Sequence, residues 1–65
     1  MTFPKLRGAI REKYGTQEAF AAAINMNPAT LSSRLNGKTE WSIAEMKIIA
    51  ELLQIPIERA YLYFF

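Results

Sequence analysis

Apolar positions in this 65-residue chain fall mostly at helical spacing. Leu6, Ile10 and Tyr14 recur every fourth residue, with Phe3 and Ala9 beside them, which predicts a helix over residues 4–13 with Thr2 or Phe3 at its cap. Gly15 ends it. A second helix is predicted over 17–24, with Phe20, Ala23 and Ile24 as its core side and Ala21 where a neighbour must cross closely. The third, over 28–36, buries Leu31 and Leu35. Ser42 with Glu45 three residues on forms a capping box, and Trp41 is placed to staple onto Met46, so a fourth helix runs to about residue 53. Ile43, Met46, Ile49, Ala50 and Leu53 share one side of it, and Ile48 and Leu52 form a second stripe. Gln54-Ile55-Pro56 breaks the helix, because the residue before a proline is pushed out of helical geometry. A short last helix is expected over about 57–62, followed by an aromatic tail, 61–65, suited either to fill the core or to pair with another copy. The expected fold class is all-α, a single domain of five short helices over 1–65.

The second and third helices are joined by a tight turn. Thr16 has the hydroxyl that caps a helix start, and Asn25 tolerates the left-handed backbone of a stop. Asn27-Pro28 then restarts the chain as an N-cap followed by proline at the first helical position, and Gly37 terminates it. Two short helices joined in this way, over 16–37, form a helix-turn-helix pattern. The outer face of the third helix is centred on Ala29, Ser33 and Asn36, flanked by Thr30 and Ser32, and carries no long or charged side chain. A face of that kind lets a helix backbone lie deep in a groove.

Charge strengthens this picture. The net charge is only +2, but residues 1–38 carry Lys5, Arg7, Arg11, Lys13, Arg34 and Lys38 against Glu12 and Glu18, which leaves +4. Residues 39–65 carry Lys47 and Arg59 against Glu40, Glu45, Glu51 and Glu58, which leaves −2. The positive half coincides with the helix-turn-helix half and favours a basic binding face. Arg7 and Arg11, four apart, lie on a different face of the first helix, which can point to solvent or to a phosphate backbone; taken alone they read as a solvated face. The chain has no cysteine, no histidine and no aspartate. Disulfides and the commonest soft metal sites are thereby excluded, no paired carboxylates are available for acid–base work, and no enzyme activity, metal or cofactor is expected. No apolar run approaches the ~20 residues needed to cross a bilayer, so no membrane partner is expected and a cytoplasmic location is.

Thr16-Gln17-Glu18, Ala21, Leu31 and the exit Leu35-Asn36-Gly37-Lys38, at their spacing, resemble the Cro/C1-type (XRE-like) helix-turn-helix family of phage and bacterial regulators, over nearly the whole chain. The chain departs from the pattern at Asn25, where a glycine is usual, at Arg34, where relatives carry an apolar residue, and at Pro28, where they often carry a base-contacting polar one. The resemblance implies a compact five-helix bundle of the lambda-repressor-like type and a sequence-specific double-stranded DNA-binding regulator, Cro-like or a small repressor, in the nucleoid of a bacterial host. It places the third helix in the major groove, with Asn27, Pro28, Ala29, Ser32 and Ser33 reading bases. Thr16, Gln17, Arg11, Arg34, Asn36 and Lys38 would hold phosphates. A homodimer on a DNA operator is expected, with Ile48, Leu52, Tyr61, Tyr63, Phe64 and Phe65 as candidates for its interface. No small-molecule ligand is expected, since 65 residues leave no room for a sensing domain. The alternative is the same fold used as an antitoxin-like or protein-interaction module.

Overall fold

Capping chemistry sets the element boundaries. In a computed structural model, which describes residues 2–65, helix α1 spans Pro4–Tyr14, α2 Gln17–Ala23, α3 Pro28–Leu35, α4 Ile43–Leu52 and α5 Tyr61–Phe64, with a single 3-10 turn at Ile57–Arg59 before α5. No strand occurs among the described residues. The Thr16 hydroxyl accepts from the Ala19 N–H at 3.1 Å, and the Asn27 Oδ1 accepts from the Ala29 N–H at 2.8 Å. At α4 the capping box is complete: Ser42 Oγ accepts from Glu45 N at 3.1 Å, and Glu45 Oε1 accepts from Ser42 N at 2.9 Å. Such caps satisfy amide groups that a helix start leaves without partners.

Three helices end alike. Residues Asn25, Gly37 and Gln54 take positive φ values of 57°, 76° and 58°, and the next amide reaches back to the carbonyl five residues earlier. These bonds are Met26 N to Ala21 O at 2.8 Å, Lys38 N to Ser33 O at 3.0 Å and Ile55 N to Ala50 O at 2.8 Å. Each is the Schellman closure that pairs the last free carbonyls of a helix. The start of α1 differs from those of α2, α3 and α4. Phe3 sits at its cap with φ 52° and makes no side-chain bond there, while the Thr2 hydroxyl donates elsewhere, to the Leu35 carbonyl.

Leu6 and Ile10 of α1, Phe20 and Ala21 of α2, Leu31 and Leu35 of α3, and Ile49, Ala50 and Leu53 around α4 make the core, with Ile55 and Phe64 closing it. The α2 and α3 helices pack on each other, and α1 packs on α2 and on α5. Ala21 is fully buried at the α2 crossing, where a methyl group allows close approach. Trp41 stands edge-on to Phe3 and to Phe64, with ring centroids 6.1 and 5.5 Å away, and so ties the two chain ends to the α3–α4 loop.

Four details differ from the sequence reading. Ala23 is exposed, because the buried side of α2 is rotated toward Phe20 and Ala21, where α3 crosses. Ile43 is 70% exposed although it shares a face with Met46, Ala50 and Leu53. Burial deepens along that face from the first residue, which overhangs the body, to Leu53. The final helix extends to Phe64, two residues past the expected end, and Phe64 lies beneath Trp41. Phe64 is therefore core, 4% exposed, whereas Phe65 is 89% exposed.

Candidate functional site

A groove of about 550 Å³ separates α1 from the start of α2, lined by Pro4, Arg7, Gly8, Ile10, Arg11, Gly15, Thr16 and Gln17. Two guanidinium groups border it and no carboxylate does. It brings together three residues singled out from the sequence, Arg11, Thr16 and Gln17. Thr16 holds its cap bond to Ala19, so its oxygen is already an acceptor and its hydroxyl proton remains to donate. Arg11 is exposed.

Asn36, Gly37 and Lys38 leave the far end of α3 and are exposed. What joins them to the groove is Arg7, on a face that the periodicity leaves to solvent or to a phosphate backbone. Arg7 is half-buried, and its guanidinium donates to the Thr2 carbonyl at 2.7 Å, the Leu35 carbonyl at 2.7 Å and the Asn36 Oδ1 at 2.8 Å. A positive charge on the carbonyl end of a helix is favourable to the helix dipole. Its partners on α3 lie 28 and 29 residues away in sequence, so no local pattern signals this role.

Arg34 behaves differently. Its Nε donates to Glu45 Oε1 at 2.9 Å, an ion pair whose two side chains are about four-fifths buried. Burial pushes the Glu45 carboxyl up, but the Ser42 N–H and the Arg34 guanidinium outweigh it and hold the carboxyl below its usual range. Glu45 borders a small depression with Ile24, Met26, Ile48 and Ile49, so Arg34 faces α4. The Arg11 groove has none of these residues in its lining.

On α3, Asn27, Pro28 and Ala29 are exposed at its start, and Ser32 and Ser33 are half-buried further along. The Asn27 oxygen is engaged in the cap, which leaves its NH2 group as its free polar end. Among the candidates for a second-copy interface, Ile48, Tyr61 and Phe65 are exposed, Leu52 and Tyr63 are half-buried, and Phe64 belongs to the core. Among the described residues no cluster of carboxylates could hold a metal ion, and no helix is long and apolar enough to cross a membrane.

The model of the family described as "Protein of unknown function (DUF739)" matches residues 1–65. No curated protein matches the chain.

Proposed function

The chain belongs to the DUF739 family, and we propose that it is a sequence-specific double-stranded DNA-binding regulator of the Cro-like or small-repressor kind. The observation that carries this reading is the continuity of one donor-rich surface. Arg11, Thr16 and Gln17 line a groove free of carboxylates, and Arg7 links that groove directly to Asn36 at the exit of α3. Phosphate oxygens are acceptors and carry negative charge, and a surface that offers hydroxyl, amide and guanidinium donors suits them.

In this reading α2 and α3 act as a helix-turn-helix. The α3 helix lies in the major groove while α2 crosses the phosphate backbone. Thr16, Gln17 and Arg11 hold one phosphate, and Asn36 and Lys38 hold another. Arg34 contributes a phosphate contact only through its terminal nitrogens, since its Nε is engaged by Glu45. Asn27, Pro28, Ala29, Ser32 and Ser33 meet the bases. Of that set only Asn27 is of a type that makes bidentate base pairs, worth about 1–3 kcal/mol each, and its oxygen is engaged in the helix cap. Discrimination then rests on thymine methyl contacts at Pro28 and Ala29 and on DNA shape.

The test is selection of bound fragments from a random duplex library, repeated across a salt series. An enriched motif together with a steep fall of affinity with salt is the expected result. A salt slope without a motif would mean non-specific binding. A second reading, a module that binds another protein in the manner of an antitoxin, is favoured by the exposed Ile43, Ile57, Tyr61 and Phe65. No duplex binding, together with a stoichiometric co-purifying protein, would establish it over the first.

A further inference from the structure

We infer that Arg7 is the positioning residue that fixes the Asn36 amide with its NH2 end free to donate on the proposed DNA-facing surface; this rests on the DNA-binding reading above. An asparagine amide ordinarily presents an acceptor and a donor, and the two ends are interchangeable by a flip. Here the flip is decided by chemistry. A guanidinium has donors and no acceptor, so the Asn36 atom 2.8 Å from Arg7 Nη2 must be the carbonyl oxygen. The NH2 end is therefore turned away from Arg7. One of its hydrogens reaches Ser32 Oγ over a long 3.4 Å contact, and the other is available to an outside acceptor.

The guanidinium is itself fixed in place. Its Nε holds the Thr2 carbonyl at 2.7 Å and its Nη2 holds the Leu35 carbonyl at 2.7 Å, so its plane is set by two backbone groups before Asn36 docks on it. The same contacts place a positive charge over the carbonyl end of α3, where bare carbonyls would repel a phosphate. Arg7 thus prepares the site in two ways without touching the ligand: it engages the Asn36 oxygen, which fixes the amide's orientation, and it offsets the helix dipole. A lysine keeps the charge but lacks the planar fork that holds three acceptors at once.

The experiment uses the full chain and a duplex selected by the wild type. In a double-mutant cycle, Asn36→Ala is expected to weaken binding about tenfold in the wild-type background, the loss of one charge-assisted hydrogen bond. In an Arg7→Lys background it is expected to weaken binding less than about twofold, because the amide is no longer oriented. Nuclear magnetic relaxation of the Asn36 side-chain amide in the free protein provides the readout that a purely structural role would not move. That amide should be as ordered as the backbone in the wild type and mobile in Arg7→Lys, with helical circular dichroism unchanged.

A further variant keeps the inference open to refutation if Arg7→Lys does not fold. Asn36→Asp retains a partner for Arg7 as an ion pair but has no donor, so it should fold as well as the wild type and bind the duplex more weakly than Asn36→Ala. Equal fold-changes for Asn36→Ala in the two Arg7 backgrounds, an Asn36 amide equally ordered in both, or full binding by Asn36→Asp would each overturn the inference while the DNA-binding reading stands. No binding of any duplex by the wild type would overturn both.

Discussion

Individual side chains carry most of what distinguishes this chain from a generic helical bundle. Gln54 occupies a left-handed position, φ 58°, that Gly37 fills without strain at the equivalent place after α3. A residue with a β-carbon is disfavoured there by roughly 1–2 kcal/mol. Among the described residues the Gln54 side chain makes one hydrogen bond, accepting at Oε1 from Lys13 Nζ at an exposed 3.0 Å contact. Gln54→Gly should therefore stabilise the protein by about 1 kcal/mol in urea titrations, and a loss of stability would mean that the Lys13 bond outweighs the backbone term. Lys38 lies exposed just past the Schellman turn of α3, its backbone amide held by Ser33 O. If it neutralises a phosphate, Lys38→Ala should lower the slope of log affinity against log salt by about 1 and leave the selected motif unchanged. An altered motif with an unchanged slope would assign Lys38 to base contact instead.

Between elements, the tie that links α3 to α4 is electrostatic, and it runs through a residue that already caps a helix. Glu45 Oε1 receives both the Ser42 N–H and the Arg34 Nε at 2.9 Å. Its carboxyl titrates below the unfolded value of about 4.3. Since the folded group holds its proton less tightly than the unfolded one, the charge stabilises the fold above that pH, and the gain is lost as pH falls through the folded value. Glu45→Gln retains an oxygen for the capping box but removes the ion pair. The variant should be less stable than the wild type by about 1 kcal/mol at pH 7, and the difference should close as the pH falls through the folded-state value. A constant difference across that range would mean that the effect is packing and not charge.

The same two helices show which features could be read from sequence. Ser42 with Glu45, Asn27 with Pro28, and Leu31 with Leu35 are all local, within a few residues, and the structure realises each as a cap or a core pair. The Arg34–Glu45 pair and the Arg7–Asn36 contact span 11 and 29 residues, and no periodicity encodes them. Ile43 shows the opposite failure. Its face was read correctly from the helical wheel, but a wheel does not tell how far along a helix the neighbouring body extends. Of the surface built around α1 and α3, Arg11, Thr16, Gln17, Asn36 and Lys38 are candidates from the sequence alone, while Arg7, which connects them, comes only from the fold.

At the scale of the whole molecule, the last two residues differ most in burial. A 65-residue chain has roughly 3–10 kcal/mol of stability at 0.05–0.15 kcal/mol per residue. Phe64 is buried against Trp41, and truncating a buried phenylalanine costs about 3–5 kcal/mol, enough to unfold much of the population. Phe65 is 89% exposed, as Tyr61 and Ile57 are exposed, so its loss should move the melting temperature by no more than about 2–4 °C. Deleting both residues together would confuse the two effects. Single substitutions separate them: Phe64→Ala should unfold at much lower urea, whereas Phe65→Ser should fold normally. If a second copy covers the aromatic end, Phe65→Ser should also shift sedimentation toward monomer and weaken binding to a two-half-site duplex more than to a single half-site. Wild-type sedimentation for Phe65→Ser, combined with monomer formation by Ile48→Glu, would place the contact on the exposed stripe of α4 instead.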